Sequence, residues 1–243
     1  MSEAFERTTV GDIVAMDFRA AAVFEQFGID FCCGGRRSVA EACRTAAVNP
    51  LDVEAAIDAL PAESAGDSDV GAWPLHDLID HIVSTHHTYV RAALPLIRQY
   101  LAKLVEVHGA RHPELADVAS AFDAIADEMA HHMLKEEHVL FPYVRQLEAP
   151  AGTRGRRLSP FGTVENPIRM MEREHQDAAD GVQAIRVLTH GYIAPEDGCT
   201  TYRVCMDELA RFERDLHRHV HLENNVLFPR AIALEHDDAN TEF

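Results

Sequence analysis

The chain has 243 residues, of which 47% are hydrophobic, and it carries a formal net charge of −18. This length and apolar content allow a buried core in one large domain, or in a medium domain accompanied by a small one. The excess of acidic residues argues against general nucleic-acid binding and against attraction to anionic membranes, because both depend on clustered Lys and Arg. We therefore expect neither a nucleic-acid partner nor membrane association.

The five cysteines do not indicate an extracellular disulfide framework, because their number is odd and their spacing irregular. The first residues lack a basic segment followed by an apolar one, so we expect no signal peptide. No apolar run approaches the roughly twenty residues that a transmembrane helix needs. The expected location is the cytoplasm, where thiols are kept reduced.

Residues 1–60 are predicted to form a small helical domain. Apolar residues recur at helical spacing after Thr9, and Gly28 ends this pattern. A Gly-rich turn with the sequence FCCGG follows and carries Cys32 and Cys33. Helix starts are marked by capping residues, which are Thr9, Ser38 with Glu41, and Asn49 before Pro50.

The rest of the chain is predicted to form a four-helix bundle. Residues 61–72 are small, polar and acidic, which is typical of a linker. Within residues 73–236 we expect four long amphipathic helices, over 75–107, 114–147, 166–188 and 200–234, with a basic loop over 149–162. The predicted fold class is therefore all-α, with an antiparallel four-helix bundle preceded by a small helical domain.

One eleven-residue stretch occurs twice in this bundle. HMLKEEHVLFP begins at His132 on the second helix, and HVHLENNVLFP begins at His219 on the fourth. In each copy a Glu follows the His by four residues, as Glu136 and Glu223, so that the two side chains share one helix face. An imidazole and a carboxylate placed in this way are able to bind one metal ion together. The duplication favours two halves of one metal site over an accidental surface pair.

The first and third helices each add one histidine on an apolar stripe. The stripe of the first helix is Ile79, Val83, His87, Val90, Leu94, Ile97 and Leu101, and that of the third is Ile168, Met171, His175, Ala178, Val182 and Ile185. These two histidines are 88 residues apart, and the two copies of the repeat are 87 apart. The bundle therefore looks like two copies of one hairpin. Its candidate metal ligands are His87, His132, Glu136, His175, His219 and Glu223.

Six nitrogen and oxygen ligands exceed the needs of one ion and fit two ions bridged by the carboxylates. Such ligands suit iron, manganese or zinc, and a carboxylate-bridged pair in a four-helix bundle favours iron. A Glu-x-x-His ligand scheme fits Glu172 and His175, but its counterpart fails because residue 84 is Ser. Glu172 and Glu174 are therefore expected to support the ligands from outside. The other histidines near the ligands are expected at the surface or around the site.

The bundle resembles hemerythrin-like domains, and the whole chain resembles the repair-of-iron-centres family, the di-iron iron–sulfur cluster repair proteins. The resemblance is carried by FGIDFCCGG in the N-terminal domain and by the two copies of the repeat. Carried over onto this sequence, the family's ligands are the same six residues. Oxygen-carrying hemerythrins have a further histidine on the third helix, where this chain has Ala179. This difference favours iron exchange or chemistry over reversible oxygen transport.

The resemblance implies a protein that repairs iron–sulfur clusters damaged by nitrosative or oxidative stress, by donating iron. The implied cofactor is a pair of iron ions bridged by carboxylates and an oxo group. The implied partners are iron–sulfur proteins or the cluster-assembly machinery, and small molecules such as NO or O2. Two alternatives stay open, which are a nitric oxide reductase at the di-iron centre and an oxygen- or NO-binding sensor. Assembly as a homodimer also stays open.

Cys32 and Cys33 are candidate thiols for the transfer of electrons or iron. Their Gly-rich turn is expected to expose them, and Arg36 and Arg37 are expected to lower a thiol pKa. The alternative is that they only pack the turn. Three further cysteines are expected to be small core residues on helices, and these are Cys43, Cys199 and Cys205.

Overall fold

The computed structural model of the chain describes residues 3–60, 70–149 and 161–241. Within these ranges the chain is helical apart from turns and contains no β-strand, which confirms the predicted fold class. Most of the expected linker and most of the expected basic loop lie outside the described residues. No helix in these ranges combines the length and the apolar content that crossing a membrane requires.

The N-terminal part of the chain contains short helices whose starts follow the capping residues. The helices are α1 Glu3–Arg7, α2 Val10–Met16, α3 Ala20–Gln26, α4 Val39–Ala46 and α5 Pro50–Asp58. The Thr9 hydroxyl accepts a hydrogen bond from the backbone N–H of Asp12 at 3.1 Å. Ser38 and Glu41 form the predicted capping box, and Asn49 caps α5. Each cap satisfies backbone donors that a helix start leaves unpaired.

The long helices follow the N-terminal part. Helix α6 is built from Leu75–His81, Ile82–His87 and Thr88–His108; α7 from Glu114–Lys135, Glu136–Leu140 and Phe141–Glu148; α8 is Glu165–Leu188; and α9 is built from Thr200–His221, Leu222–Leu227 and Phe228–Thr241. These bounds agree with the predicted ones to within a residue, except that α9 continues beyond residue 234 to Thr241.

The chain divides into two compact units, and one of them consists of Met1–Ile79, Leu147–Arg157 and Val220–Phe243. In this unit the N-terminal helices pack against the last part of α9. The ring centroids of Phe18 and Phe31 lie 6.0 and 5.9 Å from that of the buried His221. The side-chain amide of Asn225 donates hydrogen bonds to the backbone carbonyls of Phe31 and Cys32, at 3.2 and 3.0 Å. The Cys-Cys turn is therefore fixed to α9.

The second unit consists of Asp80–Gln146 and Leu158–His219 and contains most of the long helices. Its neighbouring helices run antiparallel, as contacts at two levels show. On α6 and α9, the His87 and His219 rings are neighbours near one end, and His108 contacts Tyr202 near the other. On α7 and α8, His132 contacts His175, and Ile125 lies so close to Gly181 that a Cβ on this glycine would meet its side chain at 2.8 Å.

Three of the long helices contain a π-helical turn, which the sequence did not predict. The turns are Ile82–His87 in α6, Glu136–Leu140 in α7 and Leu222–Leu227 in α9. A π-helical turn inserts one extra residue and rotates the part of the helix beyond it, and such turns are common at functional sites. In α6 this rotation explains why Ile82 is buried, whereas the predicted stripe residue Val83 is only half-buried.

Candidate metal centre

Five of the six predicted ligands lie together inside the second unit. The ligand atoms of His87, Glu136 and His219 are within 4.8 Å of one another, and so are those of His132, Glu136 and His175. All five side chains are completely buried. Glu136 belongs to both groups, since its Oε2 lies 3.3 Å from His87 Nε2 and its Oε1 lies 3.2 Å from His132 Nε2.

The distances between the imidazole nitrogens fit metal coordination. His87 Nε2 and His219 Nε2 are 3.2 Å apart, and His132 Nε2 and His175 Nε2 are 3.0 Å apart. Two metal–nitrogen bonds of about 2.1 Å that meet at about 90° place their nitrogens about 3.0 Å apart. Each pair of histidines is therefore spaced to bind one ion, and the Glu136 carboxylate has one oxygen facing each pair. This arrangement fits two ions with a bridging carboxylate.

The outer nitrogen of His87 is held by a carboxylate. His87 Nδ1 lies 2.6 Å from Glu137 Oε1, and Arg91 donates to the same oxygen. Burial by itself would raise the pKa of Glu137, but the hydrogen bonds from His87 and Arg91 outweigh it and hold this pKa below its ordinary value. An ionised Glu137 accepts the Nδ1 proton and leaves the Nε2 lone pair for a metal ion.

His132 has an equivalent arrangement with a residue of α8. Its Nδ1 lies 2.9 Å from Glu174 Oε2, and Lys135 forms an ion pair with the other oxygen of this carboxylate. The hydrogen bond from His132 lowers the pKa of Glu174 the most, and with the hydrogen bond from Lys135 this pKa falls to about 2. Glu174 therefore takes the supporting position expected from the sequence. Glu172, its predicted companion, is half-buried on the same helix.

The sequence did not predict that Glu137 would contact a ligand histidine. Its only signal in the sequence is that the first copy of the repeat has a second Glu after Glu136, where the second copy has Asn224. Because the π-helical turn begins at Glu136, the regular four-residue step does not indicate where Glu137 points. The functional contact between Glu137 and His87 depends on this turn and on the packing of α7 against α6.

The last predicted ligand, Glu223, follows His219 by four residues on α9. It is completely buried and lies within the π-helical turn Leu222–Leu227. Glu136 lies within a π-helical turn in the same way, and each turn is followed by Phe-Pro. The proline has no N–H to donate to the preceding turn, which removes one α-helical hydrogen bond there. The repeated sequence thus produces the same irregular backbone at both carboxylates.

A further histidine, His86, is buried beside the centre. Its ring stacks on that of His219 with the centroids 5.7 Å apart, and its Nδ1 lies 2.9 Å from Asp215 Oδ1. The Phe141 ring stacks on that of His87 with the centroids 5.8 Å apart. These contacts restrict the orientation of the two ligand rings, which are completely buried.

The Cys-Cys turn differs from the exposed, acidic thiol pair that the sequence suggested. Cys32 is buried and Cys33 half-buried. Asp30 Oδ1 accepts hydrogen bonds from the backbone N–H groups of both cysteines, each at 3.0 Å. The hydrogen bond with Cys33, burial and the Asp30 carboxylate all raise the pKa of Cys32 well above its usual value. The expected lowering by nearby arginines is therefore wrong for Cys32, and Arg37 instead hydrogen-bonds the backbone carbonyl of Gly34.

The expectation for the remaining cysteines is confirmed for two of them and wrong for the third. Cys43 and Cys205 are buried on helices, where burial raises their pKa values. Cys199 is exposed and immediately precedes α9.

Comparisons with known proteins cover nearly the whole chain. Residues 78–231 match the Hemerythrin HHE cation binding domain, and residues 6–61 match a domain of unknown function, DUF542. The chain is 34% identical over 230 residues to the iron–sulfur cluster repair protein YtfE of Pectobacterium carotovorum, covering 94% of this chain and 98% of that protein. It is 34% identical over 232 residues to the protein of the same name from Salmonella paratyphi B, with 96% and 100% covered.

Proposed function

Since this chain belongs to the family of iron–sulfur cluster repair proteins, we propose that it repairs damaged iron–sulfur clusters with iron held at the buried His/Glu centre. The observation that carries the proposal is Glu136, a buried carboxylate whose two oxygens face two different pairs of histidines. A carboxylate in this position suits a pair of ions and has no comparable purpose around a single one.

The proposed cofactor is two iron ions with an oxo bridge between them. His87 and His219 would hold one ion and His132 and His175 the other, and Glu136 and Glu223 would supply carboxylate oxygens. This donor set contains nitrogen and oxygen ligands and no thiolate, which suits iron. Bound there, the ions would supply iron for exchange, because these six side chains would leave part of the coordination of the two ions to other ligands.

The residues around the ligands fix the position of the protons on two of the ligand histidines. Glu137 and Glu174 each accept the Nδ1 proton of a ligand histidine, so that the Nε2 lone pair points inward. Arg91 and Lys135 neutralise these two carboxylates at their solvent side. The clients are proposed to be iron–sulfur proteins or the assembly machinery, and the trigger to be damage by NO or O2-derived oxidants.

Cys32 and Cys33 are proposed to act in the same function. Asn225, which binds the backbone of their turn, is two residues from Glu223 on α9. Because Cys32 is buried and its pKa is raised, the neutral thiol is the resting form, and Cys33 is the more accessible of the two. We propose that Cys33 is the thiol that meets the client, and that Cys32 supports it.

Metal analysis of anaerobically purified protein tests the centre. We expect about two irons per chain in the parent, and at most one in His132→Ala, because this change removes a ligand from one of the two groups. The matched control is His131→Ala, since His131 is the exposed neighbour and bonds only the carbonyl of Asp127 among the described residues. Stoichiometric zinc in the parent, or equal iron in both variants, would contradict the proposal.

A further inference from the structure

The second unit contains a Cys–His pair that the proposed function does not use. Cys199 is exposed at the start of α9, and His108 is the last residue of α6 and only 4% exposed. His108 Nε2 lies 3.3 Å from Cys199 Sγ. Along α6, the 21 residues from His87 to His108 correspond to about 31 Å, so this pair lies far from the metal ligands.

The burial of His108 is difficult to explain by packing alone. Its ring packs against those of Tyr202 and His112, at centroid distances of 5.5 and 6.4 Å, which leaves its Nδ1 without a hydrogen-bond partner among the described residues. Burying a polar ring with one unsatisfied nitrogen costs free energy unless the other nitrogen makes a strong bond. A neutral thiol is a weak partner, whereas a thiolate accepts a charge-assisted hydrogen bond.

The backbone at Cys199 also favours a thiolate. Hydrogen bonds from the backbone N–H groups of Tyr202 and Thr201 reach the sulfur, which sits at the positive end of the helix. The hydrogen bond with His108 and, next to it, the one with Tyr202 lower the pKa of Cys199 to about 7. A thiol whose pKa is close to the ambient pH is the best attacking group for a disulfide.

Four other charged or titratable groups at this end of the bundle are paired with one another. His112 lies 3.0 Å from Asp197 and 3.1 Å from Glu114, and Arg111 lies 3.0 Å from the same Asp197. The hydrogen bond from His112 lowers the pKa of Asp197. These groups contact one another, whereas the side chain that bonds the sulfur is His108.

We propose that Cys199 is a modification site at which a thiolate, paired with His108, exchanges with small disulfides to form a mixed disulfide. The Cys199 sulfur attacks one sulfur of the small disulfide, a new S–S bond forms as the old one breaks, and the other half leaves as a thiolate that takes up a proton from water. No further oxidant is needed, and a thiol reverses the step.

The test is site-resolved alkylation of the full-length chain with iodoacetamide between pH 5.5 and 9.5, followed by mass spectrometry of each cysteine peptide. We expect the Cys199 rate to reach half its maximum near pH 7, and the midpoint to rise above pH 8 in His108→Gln. A midpoint near the ordinary value of about 8.5 in the parent would overturn the proposal, even if the variant failed to fold. An unchanged midpoint in a folded His108→Gln would overturn the role of His108.

Two controls make the result specific. His112→Gln changes a neighbouring histidine that does not bond the sulfur. The alkylation midpoint of Cys199 in this variant should therefore equal that of the parent. In a second arm, the chain is incubated with oxidised glutathione at pH 7. We expect a glutathione adduct on Cys199 that dithiothreitol removes. We expect no adduct on the buried Cys205. Absence of an adduct on Cys199, or an equal adduct on Cys205, would contradict the proposed exchange.

Discussion

At the scale of single residues, the carboxylates that accept the Nδ1 protons determine the tautomer of two ligand histidines. His87 and His132 each have a carboxylate at Nδ1. The carboxylate at His87 is Glu137 of α7, and the one at His132 is Glu174 of α8. In both cases an ionised carboxylate accepts the Nδ1 proton and a cation balances the carboxylate. The two supports are chemically alike but are not related by the repeat, since the second copy has Asn224 where the first has Glu137. Only Glu174 was anticipated from the sequence.

Removing one of these supports should weaken metal binding without removing a ligand. For Glu137→Ala we expect roughly a 10- to 100-fold loss of iron affinity, because the orientation and tautomer of His87 are no longer fixed. The measurement is competition of the loaded protein against a graded chelator. Glu106→Ala, an exposed residue near the end of α6, is the control and should bind iron like the parent. An unchanged affinity in Glu137→Ala would show that the contact is not needed.

At the scale of elements, a carboxylate of α7 caps the start of α6. Glu148 accepts hydrogen bonds from the backbone N–H groups of Leu75 and His76, and from the His76 ring. Burial would raise the pKa of Glu148, but these hydrogen bonds outweigh it and lower the pKa below its ordinary value. The stabilisation is therefore present above the ordinary pKa of about 4.3 and is lost as the pH falls through the lowered value.

Replacement of Glu148 should show this pH dependence. We expect Glu148→Ala to lower the free energy of unfolding by about 1 kcal/mol at pH 7, as is usual for the loss of a helix cap. Chemical denaturation of parent and variant should give curves that converge as the pH is lowered below about 4, because the protonated parent loses the same interactions. A difference that stays constant down to pH 3 would contradict this explanation.

The contact between the Cys-Cys turn and α9 is also an element-scale feature. A Cβ on Gly35 would lie 2.4 Å from Asn225 Oδ1 and 2.6 Å from the carbonyl oxygen of Phe31. Gly35→Ala should therefore destabilise the unit by about 1–3 kcal/mol, since neither the backbone nor the bonded amide can give way easily. Gly71→Ala is the matched control, because nothing lies within 4 Å of the corresponding position. Thermal unfolding that is equal in the two variants would contradict the tight contact.

Loosening the same contact from the side of α9 should expose a thiol. In Asn225→Ala the turn loses two hydrogen bonds to its backbone, so we expect faster alkylation of Cys32 and an unchanged rate at Cys33. Asn166→Ala serves as control, because this asparagine bonds the Phe161 carbonyl in the other unit. Protection of Cys32 that is equal in both variants would show that burial, and not Asn225, holds the turn.

At the scale of the whole molecule, the periodicity of the sequence determined the helices and most of their inward faces. The third-helix stripe from Ile168 to Ile185 is buried at every predicted position, because α8 is a regular α-helix. The stripe of α6 is wrong at Val83, because the π-helical turn there has no signature in a pattern of apolar residues. Periodicity indicates a face only as long as the helix stays regular.

Contacts between residues far apart in the chain were the other feature that the sequence did not predict. Cys199 was predicted to be a small core residue on a helix, yet it is exposed and its environment depends on His108, 91 residues earlier. Asn225 similarly gains its role from Phe31 and Cys32, at the other end of the chain. The duplicated His/Glu pattern was informative because an internal repeat contains such long-range information within one sequence.

The central claim is that iron at the His/Glu centre repairs the damaged cluster. Its most direct test is to load the anaerobic chain with ⁵⁷Fe, incubate it with a nitric oxide-damaged iron–sulfur protein, and record the Mössbauer spectrum of the separated client. We predict ⁵⁷Fe in a restored cluster with the parent and with His131→Ala, and little or none with His132→Ala. A cluster restored without ⁵⁷Fe, or equally well by His132→Ala, would contradict repair by iron from this centre.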